Sequence, residues 1–336
     1  MEPKQTDSII ELNRDVEPYV IQASASRSMF FKAKFGDPYI PLQFVHLSDA
    51  HAVLDLWNRM TEYVNHYAEY LSFALHTGDY CGNSQSVYCD FYTDGIPCLR
   101  PRLNCVGNHD TYKSKFEVDP IQPKEITRDM LFKQTEAWGV EFMDVPASMT
   151  YRKEFPESNV RLLVLDNYYH QTEQLQWLAD QLLDARQKGI FVITASHETT
   201  AHVHDSFGVS FHTANDYEGL NGRQPTFEIE QEIVRFKELG GIHVCHLAGH
   251  HHHDLFGLTD AGVLNVAVPC ATNWHHWCDG KRVKGTRTYD CFNVVAVDAN
   301  LHHLKIVRIG DNCDHFLRPK HALCFDFKNN KVISCF

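Results

Sequence analysis

Several common sequence signals are missing from this chain of 336 residues. None of its 11 cysteines forms a CxxC pair, which disfavours a zinc knuckle and favours reduced, mostly buried thiols. Charged residues interrupt every apolar stretch from Met1 to Val16, so this segment predicts neither a signal peptide nor a membrane span. We therefore expect a cytoplasmic protein with no membrane partner.

Positive charge is also scarce. The chain has 31 Lys and Arg against 43 Asp and Glu, which gives a formal net charge of -12. An acidic surface repels the backbone of nucleic acids, so nucleic acid is disfavoured as a partner. Local basic loops could still hold a small anion. Nothing in the composition indicates an oligomeric state.

The chain contains no internal repeat, low-complexity tract or Gly/Ser linker that would divide it into independent domains. Hydrophobic residues make up 43% of it, which is enough for a full core. We expect one large domain over residues 41–310. An N-terminal extension with a leading strand would occupy residues 1–40, and a C-terminal extension at 311–336 would pack on the same domain.

Strand and helix patterns alternate along the first part of the chain, and strands dominate the last part. Apolar positions recur at helical spacing after the first strand, and Thr172 is a candidate cap for a helix that ends at Gly189. The predicted strands include Pro41 to Leu47, Phe73 to Leu75, Leu103 to Val106, Met149 to Phe155, Val160 to Leu165, Ile190 to Ala195, His243 to Ala248 and Val263 to Val268. Other predicted helices are Lys124 to Trp138 and Phe227 to Leu239. This order predicts an α/β fold, a four-layer α/β/β/α sandwich of two mixed sheets flanked by helices.

Polar clusters follow five of the predicted strands. They are Asp49-Ala50-His51, Gly78-Asp79, Gly107-Asn108-His109-Asp110, Ser196-His197-Glu198 and Gly249-His250-His251-His252. In open α/β sheets the ligand site lies beyond the carboxyl ends of the strands, so residues distant in sequence converge there. The glycines allow tight turns and close approach of the backbone.

The composition of these clusters indicates a metal site. Asp49 and His51 are two residues apart, so in an extended segment both side chains would leave the same side and grip one ion, and His250 and His252 repeat that spacing. Carboxylate oxygen together with imidazole nitrogen suits Zn, Mn or Fe better than Ca. The absence of cysteine from the clusters argues against a structural zinc site.

The five clusters, in this order, resemble the motifs DxH, GD, GNH[DE], a lone His and GHxH of the calcineurin-like metallophosphoesterases. The resemblance runs from about Phe44 to His252. It implies a metallophosphoesterase domain that holds two divalent or mixed-valence ions of Mn, Fe or Zn. It also implies that Asp79 bridges the two ions. The first ion would be held by Asp49, His51, Asp79 and His252, and the second by Asp79, Asn108, His197 and His250.

The same resemblance implies hydrolysis of a small phosphorylated substrate, either a monoester or a diester. The two ions would activate a water molecule, and His109 would meet the leaving-group oxygen. One position departs from the family, because Gly82 stands where an acidic residue often orients that histidine. Two other functions stay open: a binding scaffold that keeps the fold without catalysis, and a nuclease.

Some polar residues near the clusters have no assigned role. His251 and Asp254 are expected to pack behind the metal ligands, and Glu198 is expected to lie behind them or on the surface. The histidines His202, His204 and His212 are expected to be solvated, although each could contact the substrate. Basic residues at Arg100 and Arg102, and in the loop Asn273 to Tyr289, could meet a phosphate or simply be solvated. No secondary structure is assigned to Tyr80 to Pro101 or to Thr199 to Gln224.

Overall fold

Two mixed β-sheets form the centre of the structure, which is a computed structural model. It describes residues 8–24, 39–51, 53–80, 95–110, 131–146, 148–168, 171–204, 207, 225–252, 255–269, 283–310 and 322–335. The strands are β1 Leu42–Leu47, β2 Phe73–His76, β3 Arg102–Asn104, β4 Glu141–Phe142, β5 Tyr151–Phe155, β6 Val160–Val164, β7 Phe191–Ala195, β8 Val203–His204, β9 His243–Ala248, β10 Leu255–Thr259, β11 Leu264–Ala267, β12 Cys291–Asp298, β13 His303–Gly310, β14 Ala322–Asp326 and β15 Lys331–Cys335. The helices are α1 Ile9–Leu12, α2 Glu17–Ser24, α3 Leu54–His66, α4 Gln171–Lys188 and α5 Pro225–Glu238.

The first sheet has the order β15-β14-β13-β12-β1-β2-β3, and the second has the order β4-β5-β6-β7-β9-β11-β10-β8. Strands β1, β2 and β3 are parallel, and so are β6, β7, β9 and β11. Parallel strands need crossover connections, which α3, α4 and α5 provide. The α/β fold of two mixed sheets with helices is therefore confirmed.

The local sequence explains these helices. Helix α3 buries Trp57, Met60 and Val64, which lie at helical spacing on one face. Helix α4 ends where Gly189 takes a left-handed φ of 66° and the N–H of Ile190 donates to Ala185 O. Thr172 is not its cap, because the helix already begins at Gln171 and Thr172 lies within the first turn. The local sequence therefore did not predict the exact first residue of this helix.

The two terminal segments pack on the first sheet. The N-terminal helices are tied to it by Gln43 Nε2, which donates to Val20 O at 3.0 Å, and by Gly310 N, which donates to Asn13 Oδ1 at 2.6 Å. The described part of residues 1–40 contains no strand. At the other end of the chain, β14 and β15 extend the sheet beyond β13.

Several other expectations fall partly outside the described residues. The expected helix Lys124 to Trp138 is described from residue 131, and residues 131–136 are helical. Five cysteines are described as free thiols, and three of them are buried. No helix among the described residues combines the length and apolarity needed to cross a membrane.

Candidate metal centre

All seven expected metal ligands lie just beyond the ends of five strands, and the structure brings them together. Asp49 follows β1, Asp79 follows β2, and Asn108 follows β3. In the second sheet, His197 follows β7 and His250 follows β9. Two groups of ligand atoms form, and within each group all atoms lie within 4.8 Å of one another. They are Asp49, His51, Asp79 and His252, and Asp79, His197 and His250.

In the first group, two imidazole rings and a carboxylate face one another. His252 Nε2 lies 3.0 Å from Asp49 Oδ1 and 3.3 Å from His51 Nε2. All three side chains are buried, with 0%, 0% and 8% exposure for Asp49, His51 and His252. A buried carboxylate is stable only when a positive charge or several donors accompany it.

In the second group, His197 Nε2 lies 3.2 Å from Asp79 Oδ2 and 3.0 Å from Asn108 Oδ1. His250 Nδ1 lies 3.0 Å from the same Asn108 oxygen and 3.2 Å from His197 Nε2. Asn108 thus joins this group through its amide oxygen. Asp79 belongs to both groups, which is the arrangement expected of a bridging ligand.

The backbone at these residues is left-handed, not extended. Positive φ angles occur at Asp49 (55°), His51 (42°), Asp79 (57°), His250 (64°) and His252 (57°). The expectation of an extended segment at each Asp-x-His or His-x-His pair is therefore wrong, although Asp49 and His51 do lie in the same group. The chain has already left the strand and turns sharply. His250 and His252 also do not grip one ion together, since each belongs to a different group.

Glycines allow the turns to approach one another. A Cβ on Gly78 would lie 2.6 Å from His197 Nδ1, and one on Gly107 would lie 2.2 Å from Asp79 Oδ1. A Cβ on Gly249 would lie 1.8 Å from Ser48 Oγ. Glycine is therefore required for the contact between ligand loops at each position.

Groups behind the ligands fix their orientation. His197 Nδ1 donates to Thr77 O at 2.6 Å, which leaves Nε2 facing the other ligands. Asp110 Oδ2 accepts the N–H groups of Asp79 and Gly107, both at 2.9 Å, and its Oδ1 accepts that of Tyr80 at 3.0 Å. Sequence reasoning gave Asp110 no role, although its place at the end of the Gly107 cluster was a signal.

The pKa shifts of Asp79 and His197 indicate that the ligand cluster stabilises positive charge. Burial by itself would raise the pKa of the Asp79 carboxyl, but the charge and hydrogen bond of His197 outweigh it and lower that pKa. Burial by itself would lower the pKa of His197, and Asp79 instead raises it to about 9. Burial, followed by the charge of His197, lowers the pKa of His250 to about 3, so its ring is neutral and able to coordinate.

The residues present fit two divalent ions. Carboxylate oxygens, imidazole nitrogens and one amide oxygen converge in two groups with a shared carboxylate. The distances between ring nitrogen atoms, such as 3.3 Å from His51 Nε2 to His252 Nε2, suit two atoms that coordinate the same metal ion. This donor set matches the Zn, Mn or Fe class expected from the sequence.

His109 lies beside this cluster. Its ring is 28% exposed and contacts the ring of His51 edge-on at a centroid distance of 5.0 Å. Burial is the largest influence on its pKa and lowers it, although Asp79 opposes the shift. Gly82, where the family often has an acidic residue, lies outside the described residues.

The polar residues that the sequence analysis left without an assigned role have structural partners where they are described. His251 Nε2 lies 3.1 Å from Thr199 Oγ1, and Glu198 accepts a hydrogen bond from Tyr168 at 2.9 Å. Arg102 lies over the Trp57 ring and donates to Ile96 O. Three more of these residues also have partners: Arg100 donates to Ala68 O, His204 pairs with Asp260, and His202 contacts His204. His212, Asp254 and residues 273–282 lie outside the described residues.

Comparison with known proteins gives one family match and structures of similar fold. The family model described as calcineurin-like phosphoesterase matches residues 42–254. A dimetal phosphatase from Danio rerio is similar in structure, with a TM-score of 0.53, 13% identity, and coverage of 84% of this chain and 98% of that one. A purple acid phosphatase from yellow lupin (Lupinus luteus) has a TM-score of 0.51 at 13% identity, covering 89% of this chain and 53% of that one. No curated protein sequence matches the chain.

Proposed function

Because the chain belongs to the calcineurin-like phosphoesterases, we propose that it is a two-metal hydrolase of phosphate monoesters or diesters. The observation that carries this proposal is the sharing of Asp79 between two complete ligand groups. A chain kept only as a scaffold has no need to retain all seven ligand residues together with His109.

A pair of divalent ions, when bound, supplies Lewis acidity that polarises a phosphoryl oxygen and lowers the pKa of water. The chain supplies the rest. Asp79 fixes the separation of the two ligand groups, and Thr77 O and Asp110 hold His197 and Asp79 in place. Burial of Asp49 and Asp79 keeps competing water from their carboxylates.

His109 is the group that serves the leaving oxygen in this proposal. Its ring is partly exposed at the edge of the ligand cluster, where a substrate can reach it. A neutral histidine donates a hydrogen bond through one ring nitrogen, so it stabilises charge that develops on the leaving oxygen. The backbone N–H of His109 donates to Asp79 Oδ1 at 2.8 Å, which fixes its position relative to the ligands.

A small phosphorylated substrate and a cytoplasmic location are part of the proposal. The net charge of -12 supports the first, because it disfavours long polyanions. The free thiols among the described cysteines support the second, since such thiols persist in reducing compartments.

The experiment starts from chelator-treated protein reloaded separately with Mn, Fe or Zn. We expect turnover of chromogenic monoesters or diesters with at least one of these metals, and near-complete loss in Asp79→Asn. Asp180→Asn is the matched control, because Asp180 is on the surface of α4 and accepts a hydrogen bond from Gln176 of the same helix. Absence of turnover with every metal and ester, or full activity in Asp79→Asn, would overturn the proposal.

A further inference from the structure

The loop that carries His197 is held by a side chain from the neighbouring strand end. Asn167 lies just beyond β6 and is 4% exposed. Its Oδ1 accepts two consecutive backbone N–H groups, from His197 at 3.0 Å and from Glu198 at 3.1 Å. One amide oxygen therefore sets the position of the backbone at the ligand itself.

This contact complements the one made by the His197 ring. The ring is held by Thr77 O through Nδ1, and the backbone is held by Asn167. On the other side of the loop, His246 Nε2 lies 3.0 Å from Glu198 O. With both ring and backbone fixed, Nε2 of His197 has one direction available, toward Asp79 and Asn108.

The turn at Asn167 does not by itself explain the choice of this residue. The adjacent Asp166 closes the turn, because its Oδ1 accepts the N–H of Tyr168 at 3.1 Å, and its Oδ2 accepts the N–H of Met149, which lies 17 positions earlier, at 3.3 Å. The Asn167 oxygen instead reaches residues 30 and 31 positions away. Its contacts therefore serve the His197 loop.

We propose that Asn167 is a positioning residue that sets the metal affinity of the second ligand group through His197. The inference rests on the proposed function only in requiring that both groups bind metal. His197 belongs to the group with Asp79 and His250 and not to the group with Asp49, His51 and His252. Loss of the Asn167 contact therefore weakens one metal equivalent and leaves the other unchanged.

The test is a calorimetric titration of chelator-treated full-length protein with Mn²⁺. Asn167→Leu keeps the size of the side chain but removes the acceptor. We expect wild type to bind two equivalents, and Asn167→Leu to bind one of them roughly 10–100-fold more weakly, as loss of a supporting hydrogen bond does at metal sites. Asn167→Asp keeps the oxygen that accepts both N–H groups and should restore the second equivalent. Asn167→Ala carries the same expectation as the leucine variant if that variant does not fold.

Asn265→Leu is the matched control. Asn265 is a fully buried asparagine whose Oδ1 accepts the N–H of Thr200, three residues after His197 on the same loop. We expect it to keep two equivalents. Equal weakening of both equivalents in the Asn167 variants, weakening by Asn265→Leu as well, or no change in Asn167→Leu would overturn the inference. Two bound equivalents without hydrolysis would refute the proposed function alone, whereas a wild type that binds no metal would refute both.

Discussion

The carboxylate of Asp79 contacts both the backbone and the ring side of His109. Its Oδ1 accepts the His109 N–H at 2.8 Å, and its Oδ2 lies 4.0 Å from His109 Nε2. The Asp79 carboxylate, which the two ligand groups share, therefore also helps to position His109, the proposed leaving-group histidine. A change at Asp79 displaces His109, whereas a change at the His109 ring leaves the ligand groups intact.

The first prediction concerns His109→Asn. We expect kcat to fall roughly 10²–10⁴-fold, which is the usual range for loss of a general acid or base. Esters with poor alkyl leaving groups should lose more activity than nitrophenyl esters, and metal content should stay at two equivalents. His66→Gln, an exposed histidine at the end of α3, is the control. Equal losses for both kinds of ester would contradict a role at the leaving oxygen.

The second prediction concerns Asp110→Asn. The carboxylate accepts three backbone N–H groups, and an amide has only one oxygen to receive them. We expect the free energy of unfolding to fall by about 1–3 kcal/mol for the unsatisfied N–H groups. Because Asp79 is among the released residues, metal affinity should fall too. Urea unfolding and metal titration measure the two effects, and unchanged metal affinity would count against this account.

The third prediction compares two alanine substitutions at glycines with similar backbone angles. Gly78 has φ +101° and a virtual Cβ 2.7 Å from Gly107 N, whereas Gly240 has φ +88° and nothing within 4 Å. Gly240→Ala should cost only the left-handed backbone penalty, about 1–2 kcal/mol. Gly78→Ala should cost more and should also abolish hydrolysis, because the loops separate. Thermal unfolding and activity assays test this, and similar effects of both variants would argue that close approach is unimportant.

The fourth prediction concerns stability and pH in the metal-free protein. Burial lowers the pKa of His46 and His76 to about 3 and that of His246 to about 4, and it lowers the pKa of His243 well below its usual value. Below pH 6.5 the unfolded chain binds these protons and the folded chain does not. The contribution of these histidines to the free energy of unfolding is therefore complete above pH 6.5 and decreases as the pH falls toward 4. Each histidine contributes about 1.4 kcal/mol per pH unit.

Urea unfolding at pH 7, 6 and 5 measures this slope. His197 opposes this slope between pH 7 and about 6, because its pKa of about 9 keeps it protonated in the folded chain while the unfolded imidazole is still partly neutral; below about pH 6 it is protonated in both states and adds nothing. His46→Gln should reduce the slope by one histidine's share, about 1.4 kcal/mol per pH unit. A stability that stays flat between pH 7 and 5 would show that these four rings take up protons in the folded state.

Much of the fold was predictable because its signals are local. His243 to Ala248 is an unbroken apolar-rich run, and the structure places β9 at those residues. Glycine and polar residues after such runs correctly indicated where the ligand side chains converge. The left-handed φ of His51 was not predictable, because spacing alone does not distinguish an extended segment from a tight turn.

Other parts of the site depend on contacts between distant residues. Asn167 and His197 are 30 positions apart, and their hydrogen bond exists only because β6 and β7 are adjacent in the second sheet. The local sequence pattern does not record which strands are adjacent, so this contact was not predictable from it. By contrast, the family resemblance implied that His250 and His252 belong to different groups, as they do in the structure, although their spacing alone suggested a single ion.

Five of the seven ligand residues adopt backbone angles that non-glycine residues seldom take. The same side chains grafted onto straight strands of another protein would point elsewhere, even at the same sequence spacing. To rebuild such a centre in another fold, one would therefore have to transfer the left-handed loop together with its glycine. A search for such centres, or an attempt to design one, should begin from backbone shape and add the ligands afterwards.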